Sequence, residues 1–249
     1  MATFCNSSPV AGPDSTLNSV DVTKDFFYME LPAVADESSG LIFWRNLLWT
    51  HNDGGGKTAI YGIDPISGSI KQTVIIKGVK NIDWEDITQD AGYIYIGDFG
   101  NNFGNRRPLT VYKISKGGIP IDRKEVFVSA QKVTFIYADQ GSYKKRRHNH
   151  NFDCEAFFAF EKQLYLFTKN WDDQKTRLYK LPIKPDMYEI SPIETFEAGG
   201  LITGAGISPS GKRVALIGYL DYESFMWLFW DFEGDDFFGN PCLRQDLPN

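Results

Sequence analysis

A unit of short strands recurs four times along this chain. Each unit begins with two small or acidic residues two positions apart, continues through a hydrophobic hairpin and ends in an aromatic strand. The four starting pairs are Glu37 and Ser39, Asp83 and Glu85, Asp153 and Glu155, and Thr203 and Ala205. Repeats of about 40 to 50 residues that consist of short strands are typical of a β-propeller, in which each repeat forms one blade.

The spacing of the repeats predicts an all-β protein, a β-propeller of four-stranded antiparallel blades. The longest interval, between the second and third starts, has room for an extended fourth strand at 125–138 and a polar loop at 139–151. A further strand at 20–32 has no blade left to complete if the fourth repeat supplies its own outer strand. The repeats therefore predict either a compact four-bladed ring or, as the favoured form, a five-bladed design with an incomplete or missing last blade.

The chain reads as a single propeller domain at 19–249 preceded by a flexible tail at 1–18, which is rich in Ser, Pro and Gly. This start lacks the basic and apolar regions of a signal peptide, which predicts a cytoplasmic protein for the sequence as written. Cys5, followed by a tether, leaves a lipid-anchored exported protein open. No apolar run approaches the roughly 20 residues that a membrane helix requires. The oligomeric state stays open, although an incomplete ring would expose strand edges and tend to associate.

Charge limits the class of partner. The net charge of −6 argues against a nucleic-acid partner. The basic cluster at 144–147 lies in a polar loop between two strands, where a solvated loop is favoured over a phosphate site. The net charge favours a cationic ligand or none. The partner we expect is a small polar ligand or a surface partner.

The repeats also place carboxylates at one opening of the channel. In a four-stranded meander the start of the first strand and the end of the second lie at the same edge of the sheet. The first strands are innermost, so these edges converge on one mouth of the central channel. The mouth should collect Glu37, Asp83, Glu85, Asp153 and Glu155, together with the loops that follow the second strands, such as His51-Asn52-Asp53. A period of two along a strand puts Asp83 and Glu85 on one face.

Two interpretations of these carboxylates stay open. Their mutual repulsion would be relieved by a bound cation or by raised pKa values. Oxygen ligands without Cys or clustered His suit a hard cation such as Ca²⁺. Alternatively, the carboxylates accept hydrogen bonds from backbone N–H groups of adjacent blades and only tie the ring together.

Several other side chains have a structural and a functional interpretation. His51, expected at the mouth, is a candidate general base, although donation to a carbonyl is favoured. His148 and His150 read as solvated loop residues rather than ligands of a transition metal. Trp84 alternates away from the carboxylates and should pack between blades. The recurrent tyrosines, Tyr61, Tyr112 and Tyr179, are expected in the core.

Some of these motifs resemble a group of bacterial exported propeller proteins. The residues that carry the resemblance are Glu37-Ser38-Ser39-Gly40-Leu41, Trp49-Thr50-His51-Asn52-Asp53, Asp83-Trp84-Glu85-Asp86-Ile87, Ile96-Gly97-Asp98-Phe99-Gly100-Asn101-Asn102 and Asp153-Cys154-Glu155-Ala156. More distantly, the chain is similar to gluconolactonase and strictosidine synthase-like propellers, in which acidic and Asn residues hold a divalent cation and some members hydrolyse lactones or esters. The resemblance implies export or a cell-surface location, and it implies a set of candidate cation ligands. These are Glu37, Asp83, Glu85, Asp98, Asn101, Asp153 and Glu155.

Three functions follow as hypotheses. The first is a binding propeller whose acidic mouth holds a divalent cation, Ca²⁺ by its ligands, and a polar ligand. The second is a calcium-dependent hydrolase of lactones, esters or phosphate esters, with His51 and Glu85 as the candidate catalytic residues. The third is a metal-free protein-interaction propeller. Fold alone does not choose among them, because the architecture carries unrelated functions.

Overall fold

The computed structural model describes residues 3–4, 30–239 and 241–248, which form four β-sheets and two short 3-10 turns. Each sheet is one blade, so the predicted all-β propeller of four repeats is confirmed. None of the described helices is long and apolar enough to cross a membrane.

The blades follow one another along the chain. The first consists of β2 (Ser38–Trp44), β3 (Leu47–Asn52), β4 (Ala59–Ile63), β5 (Ile70–Lys77) and β9 (Glu125–Ser129). The second consists of β6 (Trp84–Gln89), β7 (Tyr93–Asp98), β8 (Leu109–Ser115), β10 (Gln131–Tyr137) and β14 (Met187–Ile190). The third consists of β11 (Asp153–Phe160), β12 (Gln163–Lys169), β13 (Thr176–Pro182) and β15 (Pro192–Phe196). The fourth consists of β16 (Leu201–Ile207), β17 (Arg213–Leu220), β18 (Glu223–Trp230), β19 (Cys242–Asp246) and β1 (Thr3–Phe4).

The first strands of the four repeats form the inner wall of the ring. Strand β2 packs against β6, β6 against β11, and β11 against β16. Within the described residues, β16 and β2 do not pack against each other in the same way. The four sheets account for every described strand, and no described residue belongs to a fifth blade.

In two blades the outermost strand comes from later in the sequence, after strands of the following blade. The sequence predicted one extended strand at 125–138, but this segment divides at Ala130. Its first half, β9, pairs in parallel with β5 of the first blade, and its second half, β10, pairs with β8 of the second. Strand β14 likewise pairs in parallel with β10. This exchange pairs the edges of β5 and β10 with backbone hydrogen bonds, so that β9 and β14 become the outermost strands of their blades.

The two ends of the chain meet in the last blade. Strand β1 pairs antiparallel with β19, with Phe4 opposite Leu243. Cys242 in β19 is disulfide-bonded, and Cys154 is a buried free thiol. The remainder of the predicted tail at 1–18, and residues 20–29 of the predicted strand at 20–32, lie outside the described residues.

The hydrophobic core lies between the blades. Trp84 is fully buried and packs with side chains of the first and second blades, as predicted. Tyr61, Tyr112 and Tyr179 are all buried, which confirms their predicted core positions. The faces between the second and third and between the third and fourth blades are filled in the same way. Packing between sheets therefore fixes where the inner strands meet the channel.

Candidate functional site

Every inner strand has an irregularity near its start. The pairing register shifts between Trp84 and Asp86 in β6, between Cys154 and Ala156 in β11, and between Ile202 and Gly204 in β16. In β2 a similar shift falls between Ser38 and Leu41. Bulges of this kind re-aim a side chain and are frequent next to functional sites. Glu85 and Glu155 are the residues left over at two of these bulges, so a bulge rather than a regular pleat sets their direction.

The bulges correct the alignment of the fourth repeat. Because the shift in β16 falls between Ile202 and Gly204, Thr203 occupies the position of Glu85 and Glu155. The repeat therefore starts two residues earlier than the sequence suggested. Its first member is Leu201, which pairs with Tyr219 at the end of β17. The fourth blade consequently places no carboxylate at either of these two positions.

Three carboxylates from two blades converge at the mouth. One oxygen each from Asp53, Asp83 and Glu85 lies within 4.8 Å of the others. Asp53 is exposed on the loop after β3, Asp83 is partly buried just before β6, and Glu85 is buried. This is the group of acidic side chains that the described residues offer to a metal ion. The predicted ligands Asp83 and Glu85 are in it. The sequence predicts Asp53 at the mouth but does not include it among the candidate cation ligands.

Glycines leave open the space beside these carboxylates. A Cβ on Gly100 would overlap Glu85 Oε1 and would lie 2.6 Å from Asp83 Cγ. A Cβ on Gly54 would lie 2.7 Å from Asp83 Oδ1. Real Cβ atoms do not approach other atoms so closely. The backbone of two loops can therefore approach the acidic group only because neither position carries a side chain.

Glu85 is the least compensated carboxylate of the mouth. It is 7% exposed, and its carboxylate oxygens accept no hydrogen bond from the described residues. Burial, followed by the charges of Glu155, Asp53 and Asp83, raises the pKa of Glu85 well above its usual range. Burial also raises the pKa of Asp83 to about 6, although the Arg106 guanidinium opposes the shift. In the absence of a cation, this cluster holds protons that an isolated carboxylate would release.

Three of the predicted ligands have their oxygens engaged by protein groups. Asp98 accepts from Arg106 Nη2 at 2.7 Å and from the Asp83 N–H at 3.1 Å. Asn101 accepts from the Arg106 N–H at 2.8 Å and donates to the Phe152 carbonyl at 2.9 Å. The contacts of Asp98 lie within the second blade, whereas Asn101 joins the second blade to the segment that leads into the third.

Asp153 is engaged in the same manner. Its Oδ1 accepts the Asn101 N–H at 2.6 Å, and its Oδ2 accepts Trp171 Nε1 at 2.8 Å. The side chain is fully buried and connects the second and third blades. Both of its oxygens accept a hydrogen bond from protein groups, and its charge helps to raise the pKa of Glu85.

The last two predicted ligands differ from the acidic group in another way. Glu155 forms an ion pair with Lys169 at 2.7 Å, and Lys169 lies over the ring of Trp171 at 4.5 Å. Glu37 is exposed and lies outside the group of three, although its backbone carbonyl accepts the Asp53 N–H at 2.9 Å. The carboxylates that sequence spacing collects at one mouth are thus divided between ion pairs, hydrogen bonds and the acidic group.

His51 is fully buried at the end of β3. Its Nδ1 donates to the Asn52 carbonyl at 2.9 Å, and its ring meets Trp84 edge-on at 5.6 Å. Burial lowers the pKa of His51, which keeps the ring neutral at pH 7. This geometry matches the favoured interpretation, donation to a carbonyl. Because no part of the His51 side chain is exposed, a ligand at the mouth would not contact its ring directly.

Asp86 is a buried carboxylate to which the sequence assigned no role. Its Oδ1 accepts the Ile87 N–H at 2.8 Å, and its Oδ2 accepts the Phe157 N–H of the third blade at 3.0 Å. Burial raises its pKa to about 8. On the other side of the same strand, Ser39 Oγ of the first blade donates to the Glu85 carbonyl at 2.5 Å. Polar contacts therefore hold three inner strands in register around Glu85.

Comparisons with known proteins add a general likeness. No family model matches the sequence, and no curated protein does so either. Similar solved structures include RS223-β-xylosidase, at 11% identity over 84% of this chain and 69% of that one with a TM-score of 0.42. A candidate 6-phosphogluconolactonase from Bacteroides uniformis is 14% identical over 89% of this chain and 58% of that one, with a TM-score of 0.40. Hydrazine synthase from Kuenenia stuttgartiensis is 10% identical over 84% and 49%, with a TM-score of 0.41. This chain spans about half to three fifths of the length of the last two proteins. The assignment of the propeller fold is based on the strand order within the four sheets.

Proposed function

We propose that this propeller binds a divalent cation, Ca²⁺ by the chemistry of its ligands, between Asp53, Asp83 and Glu85. The observation that carries the proposal is Glu85, a buried carboxylate that has no described hydrogen-bond donor and lies among like charges. A bound cation would supply the missing counter-charge and lower the raised pKa values of the group.

The donor set supports a hard cation. All three side chains offer carboxylate oxygens, and no Cys or His belongs to the group. Ca²⁺ takes six to eight oxygen ligands in flexible geometry at about 2.3 to 2.6 Å, whereas Mg²⁺ demands a smaller octahedron at about 2.0 to 2.1 Å. The three carboxylates come from a loop and from an inner strand with its lead-in, and such a set suits the flexible geometry of Ca²⁺.

A cation held in this way would keep positions for a ligand. Three carboxylates provide at most six oxygens, so water or a polar ligand can complete the coordination. Asp53 is exposed, which leaves the cation accessible from the mouth. Lys169, at the end of β12, lies with its Nζ 4.5 Å from the ring centroid of Trp171 in the loop that follows. A small polar ligand that carries an anionic or hydroxyl oxygen suits the cation.

Hydrolysis is a second candidate function of the same site. The open coordination positions favour it, because a cation there could polarise an ester or lactone carbonyl. Of the two predicted catalytic residues, Glu85 belongs to the cation group and His51 is buried. A hydrolase would therefore use a carboxylate of the mouth rather than His51 to activate water. Loss of turnover in Glu85→Gln together with unchanged turnover in His51→Gln would distinguish this mechanism.

Thermal unfolding in Ca²⁺ and in chelator tests the cation site. A ligand that binds only the native state raises the unfolding midpoint. We expect Ca²⁺ to raise the midpoint of the parent protein and not that of the Asp83→Asn/Glu85→Gln variant. If Ca²⁺ changes neither midpoint, the carboxylates serve the fold or another ligand, and the metal-free protein-interaction propeller becomes the better account.

A further inference from the structure

The basic loop at 139–151 forms one wall of an open cavity. The cavity has a volume of about 330 Å³. Its lining carries three cationic side chains and only one carboxylate. The cations are Lys144, Arg146 and Arg177, the carboxylate is Asp172, and His150 also belongs to the lining. A protein with a net charge of −6 thus concentrates positive charge around one open cavity.

The neighbouring cations of the loop divide into two sets. Lys145 and Arg147 lie over the ring of Phe103, at 4.2 Å and 5.8 Å. Lys144 and Arg146 instead line the cavity, and within the described residues their side chains make no hydrogen bond or ion pair. Two charges of this run therefore pack on an aromatic ring, whereas the other two remain available to a ligand.

The loop is held in place rather than free in solvent. The Arg146 N–H donates to the Phe103 carbonyl at 2.9 Å, and the His148 N–H donates to the Asn102 carbonyl at 3.0 Å. The His148 ring stacks on Trp171 with centroids 3.8 Å apart. These contacts fix the loop against two neighbouring loops, so the cavity exists before a ligand arrives.

Arg177, from another segment of the chain, adds a donor in a fixed position to the lining. Arg177 is held by Asp139 at 3.3 Å and lies over the ring of Phe152 at 5.2 Å. His150 Nδ1 accepts the Phe152 N–H at 3.1 Å, which places the proton of the neutral ring on Nε2. That Nε2 has no hydrogen-bond partner among the described residues. This part of the lining therefore contributes a guanidinium whose position is set by Asp139 and Phe152.

We propose that this cavity binds the phosphate group of a small phosphate monoester. Guanidinium and ammonium groups that converge on one space match a tetrahedral dianion, because Arg presents paired donors and Lys a point charge. The volume lies at the lower end of small-molecule sites, so the ligand is a small metabolite rather than a nucleic acid. The site shares no residue with the proposed cation group, and either one can be correct without the other.

Calorimetric titration tests the site, with chelator present so that bound cation takes no part. The probes are inorganic phosphate against chloride at equal ionic strength, and glycerol 3-phosphate against glycerol. We expect the parent protein to bind both phosphate probes and to bind neither chloride nor glycerol. Binding of glycerol 3-phosphate more tightly than inorganic phosphate would assign the site to an ester rather than to the free ion. Inorganic phosphate binding tighter than the ester would overturn the assignment to an ester.

A matched pair of variants localises the binding. We expect Lys144→Ala/Arg146→Ala to weaken phosphate binding at least tenfold, and Lys145→Ala/Arg147→Ala to weaken it less than threefold. Both pairs remove two positive charges from the same loop, and circular dichroism verifies that both fold. Equal losses in the two pairs would show diffuse attraction to a basic loop and would overturn the proposal. So would a parent protein that does not distinguish phosphate from chloride.

Discussion

Gly100 lies directly against the carboxylate of Glu85, so that a Cβ at this position would overlap Glu85 Oε1. The same Cβ would lie 2.6 Å from Oδ2 of Asp83. The buried carboxylate of Glu85 and the partly buried carboxylate of Asp83 thus border the same space. This space exists only because Gly100 has no side chain. Arg106, which follows on the same loop, lies 3.7 Å from Asp83 and supplies part of the counter-charge.

Gly100→Ala should close this space. We expect a loss of stability of about 1 to 3 kcal/mol, because overpacking displaces neighbouring groups. We also expect weaker Ca²⁺ binding, because Glu85 must move away from Asp53 and Asp83. Chemical denaturation and calorimetric titration measure the two effects. Gly206→Ala is the matched control, since nothing lies within 4 Å of a Cβ there. Equal Ca²⁺ affinities in the two variants would contradict the assignment of the cation to this space.

Asp53 belongs to the acidic group of the structure but not to the set of cation ligands that the sequence suggested. Asp53→Asn keeps the acceptor that receives the Gly54 N–H but removes the charge. We expect it to weaken Ca²⁺ binding about tenfold or more, a change of ~1.4 kcal/mol. Glu37→Gln removes an equal charge from an exposed residue outside the acidic group and should leave the affinity within about twofold. The reverse ranking of the two variants, measured by calorimetry, would place the cation elsewhere on the mouth.

The cation should stabilise the protein more at higher pH. The pKa of Asp83 is raised from 3.8 to about 6, so the cation-free folded state holds a proton that the unfolded state releases between these values. The stability contributed by this group is present below the lower value and is lost as pH rises through 6. Ca²⁺ must displace such protons, and its stabilising effect should therefore grow between about pH 5 and pH 8. The measurement is the difference in unfolding midpoint between Ca²⁺ and chelator at each pH. A difference that shrinks as pH rises would contradict the account.

Asp86 should matter for folding whether or not a cation is bound. Asp86→Ala leaves the N–H groups of Ile87 and Phe157 without their acceptor. We expect a loss of about 2 to 4 kcal/mol in the free energy of unfolding, because each buried donor without a partner costs about 1 to 3 kcal/mol. Urea denaturation in Ca²⁺ and in chelator should give the same loss. Asp122→Ala, at an exposed acid, should change stability by less than about 0.5 kcal/mol. A loss for Asp86→Ala as small as that of the control would show that the blades are joined by other contacts.

The repeat pattern contained enough information to predict the fold and the edge of each sheet at which the acids collect. Paired strands bear this out, because Trp84 lies opposite Asp98 and Asp153 lies opposite Lys169. The division of segment 125–138 between two blades could not be predicted from the sequence. The backbone of β9 forms its hydrogen bonds with β5, a strand some 50 residues away, and such non-local pairing leaves no local signal in the sequence.

The composition of the acidic group illustrates the same limit. Asp83 and Asp153 occupy matching positions in their repeats, yet Trp171 and the Asn101 backbone engage Asp153 whereas Asp83 meets Asp53. These differences arise from loops that meet only after the blades have packed. Arg106 and Gly100 could have been suspected from their place in the loop after β7. Their roles toward Asp83 and Glu85 depend on distances that spacing along the chain does not fix.

The most direct test of the cation site is a crystal structure of the protein grown in Ca²⁺, with anomalous scattering to identify the ion. The account predicts one ion coordinated by carboxylate oxygens of Asp53, Asp83 and Glu85 at about 2.3 to 2.6 Å. Well-ordered carboxylates at saturating Ca²⁺ with no ion between them, or an ion bound elsewhere on the mouth, would contradict it.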